Sequence, residues 1–249
     1  MIADVMSLRH MNQIQDFIQI VNDTVKNVAD SARTLIEAAQ KAAPVAKQIA
    51  AAVEKFPEFF SDKWIKHAHK GWYPNWYTPA FSSLTADGDL DGFMTSHLVE
   101  HLDSIESKLI ELYPDRTEIL AAAFKHHRDD QFIASIPIFF AQADGICNET
   151  INAMLLAKHK SRQNKIDDKL SKTSDLISHV VLPILAEKTQ MGESLDKASE
   201  ADKELGPNRN GILHGSSLHL DYGKKINSLK SISLLAFVAA TFENADIPE

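Results

Sequence analysis

The sequence is poor in the features that mark secreted and membrane-spanning chains. Cys147 is the single cysteine among 249 residues, so no disulfide can form within the chain and a reducing compartment is expected. No apolar run approaches the roughly 18 residues that indicate a membrane span. The opening stretch MIADVMSLRHMNQIQDF interrupts its apolar positions with polar ones and lacks the apolar core of a signal peptide. These absences predict a soluble, cytoplasmic protein with no membrane partner.

Positive charge is also scarce. Lys and Arg together number 26 and Asp and Glu 34, which gives a formal net charge of -8. The overall field of such a protein does not attract nucleic acid, so any binding of RNA or DNA requires a local basic patch. The densest basic run is KHKSRQNK, from Lys158 to Lys165. We interpret this run as a solvated loop, with an RNA guide as the alternative.

Alternation of apolar and polar residues with the period of a strand is almost absent. Apolar residues instead recur at every third or fourth position, which predicts an all-α protein. The repeat is most regular between Met11 and Phe56, where it forms a heptad seam with a kink or a new helix start at Pro44. Residues 1–56 are therefore predicted to be N-terminal heptad helices. Two interpretations stay open: a long helix packed on its own domain, or a seam for self-association.

Residues 57–92 break this periodicity. Proline and aromatic residues are dense in WYPNWYTPAF, from Trp72 to Phe81, and predict an ordered loop whose rings hold it to the core rather than stack on bases. A helical domain is predicted to follow over residues 93–249. Its helices are expected near residues 94–113, 117–128, 130–157, 172–190, 195–205, 208–215 and 226–243. Pro137 and Pro183 lie inside two of them and predict kinks.

The segment DGDLDGF resembles part of a calcium loop. Asp87, Asp89 and Asp91 have the spacing of the first three ligands of an EF-hand. The position that should supply a bidentate glutamate is Leu98, so the ion would lose two of its ligands. The favoured interpretation is a polar loop in which Asp91 caps the next helix.

The segment HLVEH fits the inverted zinc-protease pattern H-x-x-E-H. His97 and His101 would share one helix face and could hold Zn²⁺, with Glu100 as the base. A catalytic zinc also needs a third protein ligand, and nothing in the sequence identifies one. The favoured interpretation is a solvated helix face with Leu98 and Ile105 on the buried side.

The segment GPNRNGILHG carries an arginine and a histidine at the two ends of a predicted short helix. Its Gly-Pro pair stops the preceding helix, and Asn208 is a good N-cap for the new one. Arg209 then lies in the first turn, and Gly215 after His214 ends the helix or lets another backbone approach. The two side chains lie about 140° apart around a helix. They could still converge on one phosphate in a groove, and a two-fold partner could supply a second pair.

The RNGILHG stretch that begins at Arg209 resembles the R-x4-6-H motif of the HEPN superfamily. A polar residue commonly follows the arginine of that motif and a small residue often follows its histidine, as Asn210 and Gly215 do here. The stretch IASIPIFFAQADGICNE, residues 133–149, looks like the earlier bundle helix of phage-defence members. The resemblance covers roughly residues 95–245 and implies an all-α, up-and-down helical bundle.

The resemblance implies a metal-independent endoribonuclease without a cofactor, like the toxin and abortive-infection members of the family that act in anti-phage defence. RNA carries its own nucleophile, the 2′-hydroxyl. His214 would transfer protons, Arg209 would stabilise charge on the phosphoryl oxygens, and Asn210 would orient the histidine or hold the phosphate. The candidates for further RNA contacts are Tyr222, Lys224 and Lys225.

The implied partners are an RNA substrate, a second copy of the chain in a homodimer or higher oligomer, and a regulatory or antitoxin protein. In a dimer one histidine could act as base and the other as acid, which would make dimerisation part of the mechanism. Two alternatives stay open. One is a non-catalytic helical module that binds a partner protein or a nucleotide. The other, less favoured, is a zinc hydrolase built on His97, Glu100 and His101.

Overall fold

A computed structural model describes most of the chain beyond residue 55. The described residues are 56–78, 89–156, 159–172, 176–195 and 204–243. Nearly all of the heptad region predicted over residues 1–56, with its break at Pro44, lies outside them. So does most of the helix predicted over residues 195–205.

The chain divides into two compact units. One comprises Met1–Phe60 and Pro79–Ser82, and the other comprises Ser61–Thr78 and Ser83–Glu249. In the first unit only the backbone of residues 56–60 is described, as the start of a helix. The core, the candidate site and the cavity described below all belong to the second unit.

The described residues form nine α-helices and no strand, which confirms the prediction of an all-α protein. The helices are α1 (Phe56–Ala68), α2 (Leu90–Glu100), α3 (Leu102–Leu112), α4 (Thr117–Arg128), α5 (Phe132–Ile151), α6 (His159–Lys172), α7 (Leu176–Ala186), α8 (Arg209–Leu213) and α9 (Lys225–Phe242). Short 3₁₀ turns lie at Pro114–Arg116, Gln190–Gly192 and Ser217–His219. In this part of the chain, no helix has the length and apolar character needed to cross a membrane.

The core is built around α5 and α9, which make the most extensive contact between elements. Helix α9 is buried on every side from Asn227 to Ala239, as expected for a helix surrounded by other elements. Helix α4 packs against α5, where the rings of Phe124 and Phe139 meet edge to face with their centroids 5.1 Å apart. Helix α5 runs through Pro137 without ending there.

A buried polar junction joins α4, α5 and α9. The hydroxyl of Ser228 lies 2.8 Å from His127 Nδ1 and 2.9 Å from the hydroxyl of Ser135. Burial lowers the pKa of His127 to about 4, so its imidazole is neutral near pH 7. Because these three hydrogen-bonding groups satisfy one another away from water, the junction favours one register of the three helices.

The loop that follows α1 is held to the core by its aromatic rings. Trp72 and Tyr73 are buried, and the Tyr73 ring stacks on Phe237 of α9 with centroids 5.5 Å apart. Ser233 of α9 accepts the Tyr73 N–H at 2.8 Å and donates its hydroxyl to the Tyr73 carbonyl at 2.9 Å. These rings therefore have a packing role and are not displayed for stacking on bases.

The prediction of a loop is wrong for residues 57–68, because these residues continue α1. Trp64 and Ala68, four residues apart, are both buried. The density of proline and aromatic residues concealed this helical spacing.

A break at His101 divides the single helix predicted over residues 94–113 into α2 and α3. The backbone of His101 has φ -102° and ψ 10°, outside the α-helical region. Its ring stacks on Tyr77 with centroids 5.0 Å apart. The loop that follows α1 thus packs where α2 ends and α3 begins.

Helix α2 begins at a different cap from the predicted one. Asp89, not Asp91, is the N-cap, and its carboxylate accepts the Gly92 N–H at 2.9 Å. Asp91 instead accepts the indole N–H of Trp72 at 2.6 Å. The carboxylate that was predicted to cap α2 therefore binds Trp72 in the loop that follows α1.

Helix α6 occupies most of the basic segment that was predicted to be a solvated loop. The segment contains no glycine or proline, and Arg162 and Ile166 are both buried one turn apart. Lys160 and Lys165 are exposed. The basic run therefore sends one guanidinium into the protein instead of presenting all its charge to solvent.

Candidate functional site

The helix that carries the arginine and the histidine is fixed at its start by Asn208. The buried Asn208 side chain accepts the Gly211 N–H at 2.6 Å, which confirms the predicted N-cap. Its amide nitrogen donates to the carbonyls of Gln190 at 2.7 Å and Glu193 at 3.0 Å. One side chain therefore both starts α8 and ties it to the segment after α7.

Arg209 extends from the first position of α8 toward α5. Its Nη2 lies 3.3 Å from Asp144 Oδ2, and its Nη1 donates to Asn210 Oδ1 at 3.0 Å. The arginine side chain is 21% exposed, so solvent still reaches part of it. Its Nε is buried and has no hydrogen-bond partner among the described residues. The guanidinium is thus oriented from two directions without being enclosed.

Asp144 is the partner that sequence reasoning missed. It lies on the buried face of α5 and accepts the backbone N–H of Leu156 at 2.8 Å. Burial raises the pKa of Asp144, and the Leu156 N–H and the Arg209 guanidinium offset part of that rise. The available signal in the sequence was an acidic residue, Asp144, directly after the largely apolar stretch FIASIPIFFAQA of α5.

His214 lies at the opposite end of α8 and is exposed. Its backbone N–H closes the helix on the Asn210 carbonyl at 3.1 Å. Gly215 follows with φ +64°, a conformation that side chains with a Cβ disfavour, and a Cβ placed there would meet no atom within 4 Å. The imidazole therefore stands at the surface beside open space.

The predicted residues Arg209, Asn210 and His214 share α8 and its cap but face different surroundings. Asn210 donates its side-chain amide to the Glu193 carbonyl at 3.0 Å, so it faces the segment after α7. Arg209 faces Asp144, while His214 faces solvent. Arg209 and Asn210 are joined directly by a hydrogen bond, whereas in the described part of the chain no hydrogen bond or ion pair joins the His214 side chain to either of them.

The three predicted RNA-contact residues lie between α8 and the start of α9. The Tyr222 hydroxyl donates to the Ile133 carbonyl at 3.0 Å, which ties this segment to the start of α5. Lys224 is exposed and lies 3.4 Å from Asp221, and Lys225 is exposed at the first position of α9. The two lysines are therefore available at the surface, while the tyrosine has a structural bond.

His219 is a second residue that the sequence did not single out. It is buried, and its ring lies against Gly211 so closely that a Cβ at that glycine would come within 2.0 Å of His219 Cδ2. The glycine inside the motif is therefore explained by the close approach of this ring. A second histidine soon after the motif was the available signal.

A cavity of about 320 Å³ adjoins α8 through Asn210. Its apolar wall comes from α7, α9 and the segment after α5, and its polar groups come from α6 and the segment after α7. Its lining includes Arg162, Glu187, Lys188, Thr189 and Phe237. We refer to this space as the Arg162 cavity.

The zinc hypothesis gains no support from the described residues, and the calcium hypothesis includes Asp87, which lies outside them. His97 is largely buried. Its burial and, to a smaller extent, the nearby His101 lower its pKa to about 4. The favoured surface interpretation is wrong for His97, although Leu98 and Ile105 are buried as predicted. In the described part of the chain, no three His, Cys, Asp or Glu side chains are grouped so that they could hold a metal ion.

Comparison with known proteins gives no independent guide to the activity. No family model matches the chain, and neither a curated protein nor a solved structure is similar to it. The resemblance of the RNGILHG stretch to the HEPN motif therefore stands on the residues of this chain alone.

Proposed function

We propose that the protein is a metal-independent endoribonuclease of the HEPN type that acts as a toxin or an anti-phage effector. The observation that carries the proposal is the arrangement on α8. A rigidly capped short helix presents an oriented arginine at one end and an exposed histidine at the other. This division suits a site in which a fixed cation binds a phosphate and an exposed imidazole transfers a proton.

The chemistry needs only groups that RNA and this helix supply. A base removes the proton of the 2′-hydroxyl, whose oxygen attacks the adjacent phosphorus while the bond from phosphorus to the 5′ oxygen breaks. An acid protonates that leaving oxygen, which gives a cyclic 2′,3′-phosphate and a free 5′-hydroxyl. Imidazole is suited to both proton transfers near neutral pH, so His214 is the proposed acid or base.

Arg209 is the proposed donor to the phosphoryl oxygens. Negative charge builds on these oxygens as the new bond forms, and a guanidinium held in place beforehand stabilises that charge without reorganising. Asp144 and Asn210 supply that orientation through the 3.3 Å and 3.0 Å contacts. We assign Asn210 to orienting the arginine, and we keep Lys224 and Lys225 as proposed RNA contacts.

A second copy of the chain is part of the proposal. Three large apolar side chains are exposed: Leu213 in the motif, Leu220 after it, and Ile133 near the start of α5. Ile133 also lies against Gly223, in the segment that follows Leu220. Such a face is suited to an isologous contact, which would place two copies of His214 near one another. One imidazole would then act as base and the other as acid.

The experiment incubates the full chain with total RNA in the presence of EDTA, beside Arg209→Ala and His214→Ala variants. We expect wild type to leave cyclic phosphate and 5′-hydroxyl ends, and both variants to lose at least about a hundredfold of the rate, the scale of general acid–base and electrostatic contributions.

The matched controls are Arg116→Ala and His69→Ala. Arg116 is 18% exposed and pairs with a carboxylate, Glu149, as Arg209 pairs with Asp144. His69 is exposed and lies outside α8. Both controls should cleave like wild type. Cleavage that EDTA abolishes, or that His214→Ala leaves intact, would overturn the proposal.

The non-catalytic module is the second candidate, and one observation favours it. Arg209 and Asn210 both make contacts that hold α8 in place, as purely structural residues would. In that case the RNA assay shows no cleavage by wild type, while folded Arg209→Ala and His214→Ala variants retain the partner that wild type retains in a pull-down.

A further inference from the structure

The Arg162 cavity has the size and lining of a small-molecule site. Its volume of about 320 Å³ is at the lower end of the roughly 300–1,000 Å³ found for ligand pockets. The apolar lining consists of Leu155, Leu156, Ile184, Leu185, Leu234 and Phe237. A few polar groups, among them Thr189, Ser194 and Asn210, interrupt that wall.

Among the described residues, Arg162 is the charged group of this wall that has no ion-pair partner. Its residue is 5% exposed, and its Nη2 donates to the carbonyls of Ala186 at 3.2 Å and Glu187 at 2.9 Å. Its Nε is buried and has no hydrogen-bond partner among the described residues. No described carboxylate lies within ion-pair distance, although Asp144 and Glu187 act on it from farther away.

The other charges of the cavity are already engaged. Lys188 Nζ lies 2.8 Å from the carboxylate of Glu193, and the carboxylate of Glu187 lies 3.1 Å from His69 Nε2. The charged group of this wall that no described carboxylate pairs with is therefore the Arg162 guanidinium. A buried cation without an anion is costly, and burial accordingly lowers the pKa of Arg162.

We infer that this cavity binds a small amphipathic ligand that has one oxyanion, a carboxylate or a phosphate monoester, and an apolar body. The guanidinium of Arg162, which lines the cavity, binds the oxyanion with the donors that the two carbonyls leave free, since such groups match its planar geometry. The leucine, isoleucine and phenylalanine side chains enclose the apolar body. The inference does not depend on the proposed nuclease activity, because Arg162 and the apolar lining take no part in that chemistry, although Asn210 borders both sites.

Two probes test the inference on the full chain without RNA. Octanoate and octyl phosphate share a linear apolar body and differ in the oxyanion, and octan-1-ol lacks the charge. We expect calorimetric titration to show that at least one anionic probe binds about tenfold or more tightly than octan-1-ol, as a charge-assisted hydrogen bond implies. The tighter of the two anions identifies the head group.

The Arg162→Met variant removes the guanidinium while keeping an apolar stem of similar length. We expect it to weaken binding of the preferred anion by about tenfold or more. Arg116→Met is the matched control, because it removes a guanidinium that Glu149 neutralises and that is not among the residues lining the cavity. Its affinity should stay within about threefold of wild type. Equal losses in the two variants would mean that net charge, not the guanidinium, governs binding, and would overturn the inference.

A third variant keeps the test decisive if Arg162→Met does not fold. Ser194→Phe places a large ring at a half-exposed position of the lining while leaving Arg162 in place. We expect the folded variant to lose the anionic probes. Wild type that binds neither anion, or a folded Ser194→Phe variant that binds them as tightly as wild type, contradicts a ligand site here.

Discussion

At the scale of single residues, Asp144 helps to hold the Arg209 guanidinium in position. The carboxylate lies inside the protein, 3.3 Å from the guanidinium, and also accepts the Leu156 N–H. Asp144→Asn keeps the acceptor for that N–H and removes only the charge. We expect a change of about 1 kcal/mol or less in the free energy of unfolding, because Arg209 remains partly open to water.

The same variant should slow RNA cleavage by about tenfold, since the arginine would lose its charged partner. The decisive measurement is a double-mutant cycle of cleavage rates. In an Arg209→Ala background, Asp144→Asn should have no further effect if Asp144 acts through the arginine. Additive losses would show that Asp144 contributes to cleavage by another route.

Helix α8 is the element on which the proposed site depends, and its glycine is the sensitive point. A Cβ at Gly211 would lie 2.0 Å from His219 Cδ2, so Gly211→Ala must displace a buried ring. Alanine is the better helix former by about 1 kcal/mol, yet overpacking of a core costs about 1–3 kcal/mol. We expect Gly211→Ala to lower the free energy of unfolding by about 1–2 kcal/mol, measured by denaturant titration.

Removing the ring separates the clash from other effects of that substitution. In a background that carries His219→Ala, the change at Gly211 should become neutral or stabilising, because alanine then keeps its helix propensity without the overlap. If Gly211→Ala is equally destabilising in both backgrounds, His219 is not the reason for the glycine.

Helices with regular apolar spacing were predictable, and the partners of the motif were not. Residues 117–128 were predicted as a helix and form α4, and the prediction over 226–243 corresponds to α9. Helix α5 ends at Ile151 instead of near residue 157, because Asn152 takes a left-handed φ of 52°, a cap conformation that asparagine tolerates and that the apolar spacing alone does not reveal. Local capping at Asn208 could be read from the chain. The pairing of Arg209 with Asp144 depends on how α5 packs, which no local pattern encodes.

The whole molecule must associate with a second copy if the proposed two-histidine chemistry is correct. Leu213→Glu and Leu220→Glu place charges on the exposed apolar face beside His214. We expect each to weaken self-association by about tenfold or more, measured by sedimentation, and to lower cleavage in parallel, because burying an unpaired carboxylate is costly.

Ile119→Glu is the control for this surface. Ile119 is also an exposed large apolar residue, but it lies near the start of α4. The turn that leads toward Ile133 lies at the other end of that helix. This control should associate and cleave like wild type. Full activity of Leu213→Glu as a monomer would remove dimerisation from the mechanism. The self-association predicted for the heptads of residues 1–56 remains a separate prediction.

Burial of the single cysteine has a practical consequence for measuring such an assembly. Cys147 is fully buried in α5, and burial raises the pKa of its thiol to about 12, so the reactive thiolate is scarce at neutral pH. A cysteine introduced at an exposed position would therefore be the one thiol that a maleimide or nitroxide reagent labels readily. The native background already suits spin-label distance measurements between two copies, with Cys147 left in place to fill the core.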